Sequence, residues 1–224
     1  DAGIRSTMAQ RLGAFTGAPL GADEDLILTP GTQGALFLAM GALVTRGTKV
    51  AIVEPDYFAN RKLVRFFDGE LMPVAMRYAE ATDRAGLDLD QLEAAFRNGA
   101  EVLVFSNPNN PAGVIYSPAE IAAVAALAGR YGVTVVVDQL YSRLLYPGRA
   151  YTHLRAAGIP LDNLVTIIGP SKMESLSGFR LGVAFGSAKI IERMAKLQAI
   201  VSLRAAGYSQ AVLNVWLAEP TSWV

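Results

Sequence analysis

Short apolar runs alternate with longer helical patterns along this chain, and the alternation constrains the fold more than any other feature. Seven runs are dominated by apolar residues, at positions 26–29, 49–54, 71–76, 101–106, 133–138, 164–169 and 181–186. Runs of this length are typical of strands, and strands that alternate with helices form parallel sheets. We therefore predict an α/β fold of three layers, α/β/α, in which helices sandwich a mostly parallel seven-stranded sheet.

Helical periodicity accounts for much of the sequence between these runs. It predicts a first helix through Ile4, Met8, Leu12 and Phe15, and further helices near residues 31–44, 58–67, 90–96, 117–130, 188–203 and 209–218. The chain has no internal repeat, no low-complexity linker and no block of like charge. We therefore expect one continuous domain from near the start to about Lys189.

The charge balance argues against nucleic acid and membranes as partners. Twenty basic and twenty acidic residues cancel, which leaves no overall field to hold an anionic polymer or an anionic membrane surface. The uncharged stretch 26–45 is broken near its start by residues 30–34, which contain proline and two glycines, so we expect no membrane span. Small molecules are the expected partners.

Cysteine and histidine are nearly missing from the composition. The chain has no cysteine and one histidine, His153. Without thiols there are no disulfides, no cysteine catalysis and no Cys-rich metal site, and one histidine cannot build a multi-histidine centre. We therefore expect no metal site.

Two cations follow the predicted strand 164–169, at the edge where parallel α/β sheets bind ligands. Lys172 comes directly after the strand, and a lysine partly removed from water there becomes more nucleophilic. Arg180 is eight residues further on, and its planar guanidinium suits a phosphate group. Taken alone, the pair is better explained as two solvated loop cations than as a Schiff-base lysine and a phosphate clamp.

Other strand ends carry polar groups as well. Residues 31–34 open a helix, whose first N–H groups and the Thr32 hydroxyl can seat an anion. Loop 106–113 is rich in asparagine and proline, and its amides can face a ligand. An ordinary helix start and a plain Asn-Pro turn are the alternative explanations.

Asp138 ends a β-branched run, and a partly buried carboxylate there needs a cation to offset its desolvation.

In combination these motifs resemble one family, the class I and II aminotransferases among the fold-type-I pyridoxal-phosphate enzymes. Four motifs stand in the family's order: Gly31-Thr-Gln-Gly-Ala35, Asn107-Pro-Asn-Asn-Pro-Ala-Gly113, Asp138-Gln-Leu-Tyr141, and Ser171-Lys172 followed by Gly178-Phe-Arg-Leu-Gly182. Each motif is weak alone, and the set is specific.

The resemblance implies a role for each of these side chains. Lys172 would form the Schiff base with pyridoxal 5'-phosphate and move a proton, while Asp138 would keep the pyridinium nitrogen protonated. Asn110 and Tyr141 would hydrogen-bond the phenolic oxygen, and Tyr57 would stack on the ring. The implied catalytic residues are Lys172, Asp138 and Tyr141. The implied cofactor-binding residues are Thr32, Gln33, Gly34, Tyr57, Asn110, Asp138, Tyr141, Ser171, Lys172 and Arg180.

Two positions depart from the family pattern. Gly169 stands where the family usually has serine, so one hydroxyl contact to the phosphate is missing. A Gly169→Ser variant is expected to bind the cofactor more tightly if the loop accepts a side chain. Gln139 replaces the glutamate that usually follows the aspartate. Neither change touches the groups that form the Schiff base or protonate the ring.

The resemblance also implies a reaction, the transfer of an amino group between an L-amino acid and a 2-oxo acid by a cytoplasmic homodimer. It implies that residues 1–224 are the pyridoxal-phosphate-binding large domain of a longer enzyme, so the substrate is not specified. Two alternatives stay open. One is another fold-type-I reaction, of β-lyase, decarboxylase or synthase type, and the other is a transcription regulator whose aminotransferase-like domain senses the cofactor.

Overall fold

The computed structural model describes residues 2–21, 25–79 and 84–220. In these ranges the helices are α1 (Ala2–Thr16), α2 (Gly31–Leu43), α3 (Phe58–Phe66), α4 (Leu89–Arg97), α5 (Pro118–Tyr131), α6 (Pro170–Met173), α7 (Ala188–Val201) and α8 (Gly207–Gln210). The strands are β1 (Leu26–Pro30), β2 (Lys49–Glu54), β3 (Glu70–Ala79), β4 (Arg84–Leu87), β5 (Val102–Ser106), β6 (Thr134–Asp138), β7 (Leu164–Ile168) and β8 (Leu181–Gly186). Among the described residues, every helix is too short or too polar to cross a lipid bilayer.

The strands of the described residues form one sheet in the order β1-β8-β7-β6-β5-β2-β3-β4. Neighbours from β3 through β2, β5 and β6 to β7 are parallel. β8 runs antiparallel between β7 and β1, and β4 is antiparallel to β3. The mostly parallel sheet is therefore confirmed, and the carboxyl ends of β2, β5, β6 and β7 lie along one edge.

The described residues form one strand more than predicted. Each of the seven predicted runs is a strand, and β4 is the eighth. It pairs with the end of β3, where Met76 lies opposite Leu87. Leu87 is the one fully buried residue among the four of β4, so this strand lacks the apolar run that marks the others.

Helices cover both faces of the sheet, which confirms the three layers. Leu103 and Phe105 of β5 pack in a core that contains residues of α4 and α5. Val102 and Val104, which alternate with them, pack in a second core with residues of α2, α3 and α7. Because successive residues of a central strand enter opposite cores, the strand reads as a continuous apolar run rather than as an alternating one.

One helix prediction is wrong, because segment 209–218 is not a single helix. Helix α8 ends at Gln210, and a short 3-10 helix follows over Ala211–Asn214. The guanidinium of Arg11 donates hydrogen bonds to three carbonyl oxygens within residues 213–216, at 2.8 to 3.0 Å. These carbonyl oxygens accept hydrogen bonds from a side chain of α1. In a continuing helix they would accept them from backbone N–H groups.

Candidate active site

The residues singled out from the sequence meet around one cavity at the carboxyl edge of the sheet. Its volume is about 200 Å³. The lining consists of Thr32, Gln33, Leu36, Tyr57, Asn110, Asp138, Leu140, Tyr141, Ser171, Lys172, Ser177 and Arg180. Every residue predicted to bind the cofactor is in this set except Gly34, which lies in α2 outside the lining.

Lys172 lies in α6, a single helical turn after β7, rather than in the predicted loop. Its side chain is exposed, so the expected partial removal of its amine from water is wrong for the chain described. Among the described residues, no carboxylate lies within ion-pair distance of Lys172. The amine is therefore available to react with a ligand in the cavity.

Buried contacts attach α6 to the loop that follows β6. The guanidinium of Arg143 pairs with Glu174, directly after α6, and with Glu219. The backbone N–H of Arg143 also donates to Met173 Sδ at 3.0 Å. Because Arg143 lies two residues after Tyr141, these contacts hold α6 in place against the Tyr141 loop.

Asp138 is the last residue of β6, and it lies opposite Ser106 of β5 in the sheet register. Its carboxylate accepts a hydrogen bond from the N–H of Leu140 at 2.9 Å. Burial raises the pKa of Asp138 to about 7, the Leu140 hydrogen bond lowers it, and the charge of Asp56 raises it further. Within the described residues no side chain forms an ion pair with Asp138. The carboxylate therefore lacks the cation that its burial requires.

The start of α2 has the geometry of the predicted anion seat. Pro30 is the N-cap residue and makes no side-chain capping hydrogen bond, so within the described part of the chain the first N–H groups of α2 have no capping side chain. The guanidinium of Arg180 lies directly beside Gly31. A Cβ added at Gly31 would lie 2.5 Å from Arg180 Nη2, so only glycine leaves room for the guanidinium. Gly31 also has a φ of +79°, which favours glycine. The helix dipole and the guanidinium together favour an anion such as a phosphate.

Tyr57 and Tyr141 place two phenol rings in the lining. The hydroxyl of Tyr57 donates to Gln33 Oε1 at 3.2 Å, which links the end of β2 to the start of α2. Burial raises the pKa of Tyr141, and the charges of Asp138 and Tyr57 raise it further. Tyr141 is therefore a neutral hydrogen-bond donor at physiological pH.

Of the three asparagines in the loop after β5, Asn110 lines the cavity. The Asn107 side chain accepts a hydrogen bond from the N–H of Tyr116 at 3.2 Å. The Asn109 amide donates to the carbonyl oxygen of Pro55 at 3.0 Å. Both of these side chains are buried and hold the loop together, so the expected ligand-facing role is left to Asn110.

Sequence reasoning missed three lining residues, namely Leu36, Leu140 and Ser177. Leu36 lies four residues after Thr32 and therefore on the same face of α2. Leu140 and Ser177 lie within or beside motifs that were already identified. Helical spacing and proximity to the motifs are the signals that predict all three.

The space around Gly169 is occupied. Its φ is 177°, an extended conformation that any residue adopts. A Cβ at this position would lie 2.9 Å from the carbonyl oxygen of Leu181 and 2.9 Å from Cγ2 of Thr32. The first of these atoms belongs to the backbone of β8 and moves only with the strand. The loop therefore does not accept a side chain unless its neighbours shift, so Gly169→Ser is not expected to gain affinity.

These residues fit pyridoxal 5'-phosphate. Asp138 offers a carboxylate to a protonated ring nitrogen, Arg180 and the start of α2 offer donors to a phosphate, and Lys172 offers an amine to an aldehyde. The hydroxyl of Ser171 is buried and has no hydrogen-bond partner within the described part of the chain. Buried polar groups of this kind need a partner, which a bound phosphate would supply.

We expect Gly169→Ser to bind pyridoxal phosphate no more tightly than the wild type and to lower the free energy of unfolding by about 1–3 kcal/mol, because the added atoms press on β8 and Thr32. Gly178→Ser is the matched control, since a Cβ at Gly178 meets no atom of the described residues within 4 Å. Equilibrium dialysis and urea unfolding measure the two effects. Tighter binding by Gly169→Ser would show that β8 and α2 yield to the side chain.

At the carboxyl edge of a mostly parallel α/β sheet, the described residues bring together an available lysine, a carboxylate without an ion pair and a helix start beside an arginine, a set that suits a phosphate-bearing aldehyde. The family model for aminotransferase class I and II matches residues 2–222. The chain therefore belongs to the class I and II aminotransferase family.

Individual relatives agree with this assignment. The chain is 28% identical to an aspartate aminotransferase of Sulfurisphaera tokodaii over 84% of its own length and 46% of the relative. It is 30% identical to mouse kynurenine–oxoglutarate transaminase 1 over 82% of its length and 46% of that protein. The crystal structure of an aspartate aminotransferase from Rhodobacter sphaeroides is 68% identical and superposes with a TM-score of 0.96, covering 100% of this chain and 58% of that chain. The chain spans about half the length of the curated relatives it matches.

Proposed function

We propose that the protein is a pyridoxal-phosphate-dependent aminotransferase, which transfers an amino group between an L-amino acid and a 2-oxo acid. The observation that supports this most directly is that Lys172, Asp138 and Arg180 line one cavity of a chain in this family. When bound, the cofactor supplies an electron sink that stabilises negative charge at the substrate Cα.

Lys172 performs two tasks in this proposal. Its amine would hold the cofactor covalently, and its Nζ, when free, would take the proton from the substrate Cα. The Lys172 side chain is exposed on a turn whose other residues are buried, so it has the freedom that both tasks require while the turn itself is anchored. The ion pair between Arg143 and Glu174 keeps the backbone of that turn in place.

The other lining residues would bind and orient the cofactor. The Asp138 carboxylate would hold the protonated ring nitrogen, and Asn110 and Tyr141 would donate to the phenolic oxygen. Tyr57 would contact the face of the ring. The phosphate would be bound by Arg180 and Ser171 and by the start of α2, with its residues Thr32, Gln33 and Gly34.

L-Aspartate is the proposed amino donor, because the Rhodobacter sphaeroides and Sulfurisphaera tokodaii relatives are named aspartate aminotransferases. The homodimer, the cytoplasmic location and the extent of the large domain over residues 1–224 stay predictions from the family resemblance.

The test is a product analysis. The purified full-length protein that contains this chain, with pyridoxal phosphate, L-aspartate and 2-oxoglutarate, is expected to form oxaloacetate and glutamate in equal amounts. Release of carbon dioxide or ammonia without a matching amino-acid product would instead indicate a decarboxylase or a β-lyase. Binding of the cofactor without any product from a panel of amino acids would favour the regulator and contradict the proposal.

A further inference from the structure

Asp56 is a half-buried carboxylate, next to the cavity residue Tyr57, that the proposed chemistry does not use. Its oxygens accept hydrogen bonds from the N–H of Tyr57 at 2.6 Å, from the N–H of Ser106 at 2.9 Å and from the Ser106 hydroxyl. Bonds to an ionised acceptor are roughly twice as strong as neutral ones, so they fix Ser106 firmly to Asp56. Among the described residues, no basic side chain pairs with Asp56.

The carboxyl of Asp56 is ionised at neutral pH. Burial raises its pKa to about 6, while the hydrogen bonds from Ser106 and from the Tyr57 N–H lower it. An ionised carboxylate has no proton to donate and acts as an acceptor towards all three donors.

Ser106 extends the contact to a second cavity residue. Its hydroxyl, which donates to Asp56, accepts a hydrogen bond from the N–H of Asn110 at 3.0 Å. Ser106 is itself buried at the end of β5. One carboxylate therefore holds the backbone of Tyr57 directly and the backbone of Asn110 through a single hydroxyl.

The two loops joined in this way leave the neighbouring parallel strands β2 and β5. A neutral hydrogen bond, from the Asn109 amide to the carbonyl oxygen of Pro55, connects them a second time. Loops at strand ends are the more mobile parts of an α/β fold, and a binding site needs its contacting side chains held within about 0.5 Å. The connection through Asp56 is the charged and therefore the stronger of the two.

We propose that Asp56 is a positioning residue of the cofactor site, which fixes Tyr57 and Asn110 relative to each other through Ser106. The proposal rests on the proposed function, because Tyr57 and Asn110 contact the cofactor only if the cavity binds it. Its consequence is that the loops are ordered before the cofactor arrives, so binding does not have to order them.

The test measures pyridoxal phosphate binding by equilibrium dialysis, and urea unfolding without the cofactor, for Asp56→Asn, Ser106→Ala and the double variant. Each single change is expected to weaken binding about tenfold or more, because each removes a hydrogen bond to a charged group. The double variant is expected to bind no more weakly than the poorer single variant, because both changes break the same connection.

Asp88→Asn is the matched control. Asp88 is also a buried carboxylate, but it accepts the N–H of Gln91 at 3.0 Å, pairs with Arg77 and lies outside the cavity lining. Its loss is expected to lower stability and to leave cofactor binding unchanged. A purely structural role of Asp56 predicts that Asp56→Asn behaves in the same way as this control.

The outcomes are distinct. Wild-type affinity in both single variants would overturn the positioning role, and additive losses in the double variant would overturn the connection through Ser106. If Asp56→Asn does not fold, Ser106→Ala carries the test alone. If the wild type itself does not bind pyridoxal phosphate, the proposed function fails, and the role of Asp56 fails with it.

Discussion

Lys172→Ala is expected to abolish the covalent attachment of pyridoxal phosphate. It is also expected to slow amino transfer by about 10²–10⁴-fold, which is the usual contribution of a positioned proton-transfer group. Because the side chain is exposed, its removal is expected to change the free energy of unfolding by less than about 0.5 kcal/mol. Visible absorption of the cofactor-loaded protein and the initial rate measure the two effects.

Lys189→Ala provides the control for this experiment. Lys189 is exposed on α7 and lies outside the cavity lining, so its loss is expected to change neither the absorption nor the rate. If the Lys172→Ala protein kept both the wild-type absorption and the wild-type rate, Lys172 would have no role in the mechanism.

Asp138→Asn is expected to slow amino transfer by at least about tenfold while the covalent attachment at Lys172 still forms. The amide keeps the shape of the carboxylate but loses the charge that holds a proton on the ring nitrogen. A hydrogen bond to a charged group contributes about 1.5–3 kcal/mol, which corresponds to a factor of about ten or more. Rates and absorption spectra of the same preparations separate the two effects. Unchanged turnover would contradict the role of Asp138.

Without the cofactor, the same substitution is expected to stabilise the protein at alkaline pH. The pKa of Asp138 is about 7 in the folded chain, against an ordinary value of 3.8. At about pH 2, well below the ordinary pKa, the carboxyl is neutral in both the folded and the unfolded chain. As the pH rises towards 7, the wild type loses free energy of unfolding, on the order of 4 kcal/mol in total, and the asparagine variant does not.

The order of stability is expected to reverse when pyridoxal phosphate is added, because the wild-type carboxylate then pairs with a cation. Urea unfolding at about pH 5 and pH 8, with and without the cofactor, tests this. An Asp138→Asn protein less stable than the wild type at pH 8 without the cofactor would show that the chain already satisfies this carboxylate.

The sheet could be predicted because its central strands are buried on both faces and therefore read as uninterrupted apolar runs. Edge strand β4 could not, because it is half exposed and is held by pairing with β3 rather than by its own apolar residues. The end of α8 at Gln210 could not be predicted either, since it depends on Arg11, about 200 residues away in the chain.

Much of the cavity lining was predictable for a similar reason, since parallel strands bring their carboxyl ends to one edge. The features that escaped prediction depend on contacts between distant segments. Asp56 and Ser106 are 50 residues apart, and Arg143 and Glu174 are 31 apart. The crowding at Gly169 comes from the carbonyl oxygen of Leu181 on β8, which no local pattern reveals.

The central claim is that Lys172 carries the cofactor, and borohydride reduction of the pyridoxal-phosphate-loaded protein tests it most directly. Reduction makes the bond between lysine and cofactor permanent, and peptide mapping by mass spectrometry then locates it. We predict one modified peptide, with the pyridoxyl group on Lys172. Modification of Lys189 or Lys196 in its place, or no modified peptide at all, would contradict the account.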